Sequence, residues 1–406
     1  MSLLKHLSRF ASVLPFLVGC ASIPDPAGPY DVGTLHFDFE APSGRKLEVR
    51  VWHPATLSDD VKAKTRRLPA FEPALAKEMA TMFNMPEFAF ADDDTGAYMD
   101  VPVADGAFAV LLFNHGFGSF GKQNANQFED LAKNGFIVMS LHHPGDTLLT
   151  TYEDGTTVVA DRSQGPYQAM ERFNKDPQPI LDLYVEKFPA LRTAIHDRAR
   201  HRQLMQEVSR ADAFSSYDVM VKRWVEDIRG LLGALDALNA DHVSLQGHLD
   251  VEHVGLFGHS LGGVAMGRVA QLDDRAAAVL LYDSPMLDFT ALGAPAPQQR
   301  IPTCFTYADA VTMNGVTFET HAINDAMLAS APKGSCSVLV EGAAHYNFSD
   351  MNNEPMLRMT PMLGDVDNAT MAVFMRSFTR QYFLHHMFGA ERPAAGDDVV
   401  HVKWND

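Results

Sequence analysis

The apolar positions change their spacing several times along the chain, and each change marks an element. Residues 35–40 and 47–52 are strand-like and flank Pro42-Ser43-Gly44, which predicts two strands joined by a turn. Residues 55–100 read as irregular, apart from a helical patch over 73–83. At 108–113 the run Phe-Ala-Val-Leu-Leu-Phe is apolar without a break, as in a strand buried on both faces. A helix is predicted around 124–134, closed by Asn134-Gly135, and a second buried strand over 136–141.

From 146 to 209 the buried-strand pattern stops. Polar loops come first, then a charged helical stretch over 180–208. The pattern resumes with a long amphipathic helix over 217–238, a strand over 254–257 and a helix over 261–272. Strands over 276–282, 303–307 and 337–340 and a last helix over 368–387 complete it. Strands alternating with helices predict an α/β fold, a mainly parallel sheet with helices on both faces. The leading hairpin adds antiparallel strands at one edge. The 146–209 interruption reads as a cap inserted over the carboxyl ends of the strands, where such sheets bind ligands. This places one domain over 31–389 and a flexible tail over 390–406.

Composition narrows the function classes. The chain has 406 residues, 46% hydrophobic and 21% charged, enough apolar material for a sizeable core. Its net charge of -18 repels phosphate backbones, so nucleic acid is not an expected partner. The N-terminus stands apart. Lys5 and Arg9 precede an apolar stretch over 10–18 that is too short to span a bilayer, so residues 1–20 read as a secretory signal. It ends in Leu17-Val18-Gly19-Cys20, which resembles a bacterial lipobox. That resemblance implies acylation of Cys20 and a lipid anchor on the bacterial cell envelope, at the outer membrane or its periplasmic face. The Pro-rich residues 21–30 then read as a stiff, unstructured tether. An ordinary signal cut after Ala21, giving a secreted protein, is the alternative.

The chemistry centres on Gly258-His259-Ser260-Leu261-Gly262. Gly-x-Ser-x-Gly alone is weak evidence. Here it follows an apolar strand and opens a helix, the setting of the nucleophile elbow of an α/β-hydrolase fold. Ser260 would then stand above the sheet at a helix N-terminus that favours developing negative charge. A serine hydroxyl needs a base, and chain order in this fold is Ser, acid, His. Downstream lie His321, His345, His385, His386 and His401. His345 is best placed, just after the predicted last strand.

Two acids compete to orient it. Asp283 ends the strand after the elbow helix, and Asp309 ends the next one. The commonest arrangement uses the later strand, and local sequence does not decide. Leu261 and Phe117, the latter in Asn114-His115-Gly116-Phe117-Gly118, are the candidate backbone donors of an oxyanion hole. His142-His143 near Asp146 would suggest a metal, but adjacent strand residues point to opposite sides, so a structural turn or pocket wall is the better reading. No metal or cofactor is expected. Cys304 and Cys336 start two strands expected to be neighbours. Buried free thiols are the expectation there, with a disulfide as the alternative.

These motifs together carry a family resemblance. Phe113-Asn114-His115-Gly116-Phe117-Gly118, Asn134-Gly135-Phe136-Ile137-Val138, Gly258-His259-Ser260-Leu261-Gly262-Gly263, Leu281-Tyr282-Asp283 and His345-Tyr346-Asn347-Phe348-Ser349-Asp350 resemble the platelet-activating factor acetylhydrolase family, plasma type, with its bacterial dienelactone-hydrolase-like relatives. The resemblance runs from about residue 33 to 389. It implies a serine hydrolase acting on short-acyl esters, or on phospholipids with a short or oxidised sn-2 chain. It also implies Asp283 rather than Asp309 as the acid, and Phe117 and Leu261 as the oxyanion donors. A generic carboxylesterase is the alternative, and a catalytically inactive lipid-binding lipoprotein is the alternative of another class.

Overall fold

A computed structural model describes residues 25–406 except 91–93, 287–298, 314–315, 320, 355, 361 and 395–397. The signal segment and Cys20 lie outside the described residues. In chain order the elements are β1 (Asp31–Glu40), β2 (Lys46–Ala55), α1 (Asp59–Lys64), β3 (Arg67–Pro69), α2 (Pro73–Phe83), β4 (Asp94–Met99), β5 (Phe108–Asn114), α3 (Ala125–Lys133) and β6 (Phe136–His142). There follow β7 (Leu149–Thr151), β8 (Thr157–Val159), α4 (Gly165–Lys175), α5 (Gln178–Thr193), α6 (Arg198–Ser209), α7 (Asp212–Asp241), β9 (Leu249–His259) and α8 (Leu261–Leu272). The last are β10 (Ala278–Tyr282), β11 (Thr303–Tyr307), β12 (Val311–Met313), β13 (Val316–Phe318), α9 (His321–Leu328), β14 (Ser335–Val340), α10 (Asn368–Phe388) and β15 (Val400–Asn405).

The main sheet runs β15-β14-β11-β10-β9-β5-β6-β2-β1-β4-β3. Its six central strands, from β14 to β6, are parallel. Every residue of β5 is buried, yet the two-residue period still sorts them. Val110 and Leu112 join the core beneath α7 and α8, whereas Ala109, Leu111 and Phe113 join the one beneath α3 and α10. Strands buried on both faces therefore show as unbroken apolar runs, while the faces diverge into two cores. Parallel pairing also puts the carboxyl ends of β5, β9, β10, β11 and β14 at one edge, which is where the site forms. Among the described residues no helix is long and apolar enough to cross a membrane.

Four expectations need correction. The tail expected over 390–406 is not loose where it is described at its end, because β15 pairs antiparallel with the whole of β14. Val400, Val402 and Trp404 alternate with His401 and Lys403, and Arg392 lies over the Trp404 ring at 4.8 Å. The 21–30 tether is fastened where it is described. Lys133 Nζ donates to Pro26 O at 3.0 Å and Asn134 Nδ2 to Ala27 O at 2.9 Å, so the chain satisfies groups at the end of α3. Residues 55–100 hold α1 and the strands β3 and β4, which close one end of the sheet, as well as α2; these pieces are too short to set up a period. Finally, Cys304 and Cys336 are not free thiols. They face each other in the β11–β14 register with Cα atoms 4.4 Å apart and are joined by a disulfide.

The interruption in the sheet pattern folds as a β7–β8 hairpin followed by α4, α5 and α6. Its Tyr167 ring packs 4.5 Å from the ring of Phe117, in the loop after β5. Asp146 ties its root to α7, accepting from both Arg223 Nη2 at 2.8 Å and Trp224 Nε1 at 2.9 Å.

Candidate active site

Ser260 sits between β9 and α8 with φ 56° and ψ -128°. A non-glycine residue there carries strain of about 1–3 kcal/mol, so the surroundings must hold it. Two backbone bonds do so: Ser260 N donates to Tyr282 O at 2.9 Å, and Val264 N to Ser260 O at 3.0 Å. The glycines of the motif answer to space. A Cβ on Gly262 would lie 2.2 Å from the carbonyl oxygens of Asn114 and His115, and one on Gly263 would lie 1.9 Å from Ser284 Oγ. The elbow is thus wedged against the end of β5 and the turn after β10, and no side chain fits in either gap.

Asp283 follows β10, also with positive φ (42°). Its backbone N donates to Thr306 O at 2.9 Å, and its Oδ1 accepts from Ala308 N at 3.2 Å. Its Oδ2 accepts from His345 Nδ1 at 2.6 Å. Burial alone would raise the Asp283 pKa, but the hydrogen bond and charge of His345 and the Ala308 N–H together hold it below the ordinary carboxylate value. An ionised Asp283 only accepts, so His345 carries its proton on Nδ1 and presents the Nε2 lone pair. His345 opens a single helical turn, His345–Phe348, after β14. That turn is held by Asn347 Oδ1, which accepts from Ala344 N at 2.7 Å and Gly364 N at 2.8 Å.

The loop after β5 supplies the third wall. His115 Nδ1 donates to Gly116 O at 2.8 Å, while its Nε2 accepts from Thr147 Oγ1 at 2.9 Å. Burial keeps this imidazole well below its ordinary pKa and therefore neutral. In a trans peptide the C=O and N–H point in opposite directions, so fixing the Gly116 carbonyl fixes the Phe117 N–H. Ser260, His345, Phe117 and His259 line one cavity of about 50 Å³, walled by Met79, Met82, Phe83, Phe120, Tyr346 and Met351.

Apart from Leu261, which directly follows Ser260, the remaining sequence candidates are placed elsewhere. Asp309 does not reach His345; its Oδ2 accepts from Gly342 N at 2.9 Å and its Oδ1 from Ala310 N at 2.7 Å. Leu261 is the first residue of α8. His142 and His143 separate, as neighbours on a strand do: His142 lies 3.1 Å from Glu48, and His143 lies 2.8 Å from Asp227. His385 and His386 belong to α10, and His321 starts α9. Thr147, which orients His115, carried no signal in the sequence.

A family model described as "Platelet-activating factor acetylhydrolase, isoform II" matches residues 18–377. The platelet-activating factor acetylhydrolase of Canis lupus familiaris is 24% identical over 356 residues, covering 84% of this chain and 72% of its own. That of Bos taurus is 22% identical over 388 residues, covering 92% and 79%. A ferulic acid esterase from Streptomyces cinnamoneus has a similar fold, with a TM-score of 0.62 and 18% identity over 94% of this chain and 98% of its own.

Proposed function

The chain belongs to the platelet-activating factor acetylhydrolase family and is a carboxylic ester hydrolase of the α/β-hydrolase fold, and from that premise we propose that Ser260, His345 and Asp283 perform its chemistry. Ser260 Oγ attacks the ester carbonyl and gives its proton to His345 Nε2. The N–H groups of Phe117 and Leu261 take up the charge on the carbonyl oxygen. The tetrahedral intermediate collapses, and the leaving alcohol takes the proton from His345. Water, deprotonated by the same imidazole, then releases the acid and restores Ser260. Asp283 keeps Nδ1 protonated and offsets the transient imidazolium charge. The observation that carries this reading is the 2.6 Å bond from His345 to Asp283 beside a serine held at positive φ.

The substrate in this reading is an ester with a short acyl group, a phospholipid with a short or oxidised sn-2 chain included. A cavity of about 50 Å³ offers room for only about three or four water-sized groups. Longer chains require its methionine walls to move. We assign the membrane address to Cys20 on the lipobox pattern, which places the enzyme on the bacterial cell envelope.

Labelling with a fluorophosphonate tests the chemistry: the wild-type chain is labelled and Ser260→Ala is not. Wild type resisting both this reagent and p-nitrophenyl acetate overturns the assignment. Rates over p-nitrophenyl esters from acetate to decanoate test the substrate class, and a flat profile points to a general carboxylesterase. Incorporation of labelled fatty acid, lost in Cys20→Ser, tests the anchor.

A further inference from the structure

Three separate strand ends must be held in register for this site to work: the loop after β5, the elbow after β9, and the turn after β14. Hydrogen bonds of two side chains run through all three. Gln123 Oε1 accepts from Gly116 N at 2.9 Å. Gln123 Nε2 donates to His259 Nδ1 at 3.2 Å and to Asn124 Oδ1 at 2.8 Å. His259 Nε2 donates to the carbonyl oxygen of His345 at 3.0 Å. Each direction requires the next. Gly116 N–H needs the amide oxygen, which turns the amide NH2 toward His259. Accepting there leaves the His259 proton on Nε2, where the His345 carbonyl needs it.

Both side chains are buried, Gln123 at 1% and His259 at 4% exposure, so the chain of bonds is shielded from water. Burial, and secondarily the nearby charge of His345, push the His259 pKa down to about 3. The imidazole therefore keeps one proton throughout the neutral range and the direction of the chain does not invert. Space is as tight as the bonding: a Cβ on Gly116 would lie 3.3 Å from His259 Nδ1 and 3.4 Å from Ser260 Cβ. The main chain of Gln123 repeats the connection, since its carbonyl accepts from Asp350 N at 2.7 Å, five residues beyond His345.

We propose that Gln123 and His259 are positioning residues that lock the Phe117 oxyanion loop to the His345 loop across the elbow of Ser260. The inference rests on the assignment of Ser260 and His345 above. Neither side chain exchanges a proton with substrate. Their role is to keep the oxyanion donor and the base at one separation, and misplacement by about 1 Å costs on the order of 100-fold in rate.

The test uses the full chain with Gln123→Met, His259→Phe and the double variant, assayed with p-nitrophenyl acetate. Each single variant is expected to lose about 30-fold in kcat with KM changed less than about threefold, and fluorophosphonate labelling should slow in parallel. The double variant should be no worse than about threefold below the poorer single one, because the chain is already broken. Gln123→Glu adds a reading that a purely structural role would not move. It keeps the acceptor for Gly116 but donates to His259 only when protonated, so its kcat relative to wild type should rise toward acid pH. It also serves if the methionine variant does not fold. Single variants within threefold of wild type in kcat, losses that multiply in the double variant, or a pH-independent Gln123→Glu ratio overturn the proposal while the wild-type enzyme stays active. A wild-type chain that neither hydrolyses the ester nor takes the label defeats the assignment of Ser260, and the positioning role with it.

Discussion

Among the described residues, two of the histidine–aspartate pairs with nearly the same geometry differ sharply in what surrounds them. His345 and Asp283 meet at 2.6 Å, with the histidine side chain 39% exposed and the aspartate 4%. His143 and Asp227 meet at 2.8 Å, and both are fully buried. The second histidine is stacked on Trp224 at 4.5 Å, and its other nitrogen lies 2.7 Å from Asn114 Oδ1. The electrostatics diverge as well. Asp283 is held below its ordinary pKa, whereas burial raises Asp227 to about 7 despite its ion pair with Arg45. A histidine–carboxylate contact is thus not itself a catalytic feature. Access to a cavity, a serine on the same cavity and an acid held below its ordinary pKa separate the proposed engine from a brace joining β6 to α7.

The strongest way to break that comparison is to substitute the two acids in turn. Asp283→Asn leaves the shape intact but donates to Nδ1 instead of accepting from it, which forces the wrong tautomer on His345. A loss of about 10³- to 10⁴-fold in kcat is expected, with the chain folded by circular dichroism. Asp227→Ala should do the reverse. Removing one partner of a buried ion pair costs about 3 kcal/mol. The expected result is a lower denaturant midpoint with kcat, per active site titrated by fluorophosphonate, within about threefold of wild type. A loss of kcat in Asp227→Ala comparable to that in Asp283→Asn would erase the distinction between the pairs.

The two pairs also differ in how far the sequence discloses them. Ser260 shows itself because its motif is local: strand, tight turn and helix lie within a few residues. His345 shows itself by following a predicted strand. The choice of Asp283 over Asp309 is not local, since both end strands at the same edge and only packing decides which reaches the imidazole. The resemblance to a known family supplied that preference where spacing did not. Asp227 and His143 are 84 residues apart on elements with no shared motif, and Gln123 and His259 are 136 apart. The Cys304–Cys336 bridge needs the register of β11 against β14, which two cysteines in a sequence do not specify. Strand β15 was hidden because six alternating residues after a Pro- and Gly-containing stretch are too few to stand out.

A third buried acid shows what happens without a histidine. Glu129 accepts from Gly96 N at 2.9 Å. Burial raises its pKa to about 7, more than the Gly96 N–H, the Thr95 hydroxyl and the charges of Lys133 and Arg67 lower it. An acid with a raised folded pKa binds its proton more tightly in the folded state. Its contribution to stability therefore falls as pH rises from the unfolded value near 4.3 to about 7, and stays lost above that. Glu129→Gln keeps the acceptor for Gly96 and cannot ionise. It should match wild type near pH 4.5 and exceed it by on the order of 2 kcal/mol at pH 8, read from urea unfolding at both values. A gap that does not widen with pH would mean that Glu129 is solvated in the folded protein.

The smallest effect is the one that isolates the acid. Asp309 is the other carboxylate at this edge, and it too belongs to the site's framework. Its backbone N donates to Ala343 O at 2.9 Å, and its carboxylate accepts from Gly342 N, two bonds that fasten the end of β11 to the chain just before His345. Asp309→Asn retains one side-chain oxygen for Gly342 and loses the charge that strengthens that bond, a change worth about 1 kcal/mol. If the loop relaxes by a few tenths of an ångström, kcat falls by less than about tenfold, while the tautomer of His345 stays under the control of Asp283. The two asparagine variants then differ by two orders of magnitude or more although they remove the same charge from the same edge of the sheet. Equal losses in both would show that the imidazole is oriented by whichever carboxylate approaches it during turnover, and the assignment of a single acid would fall.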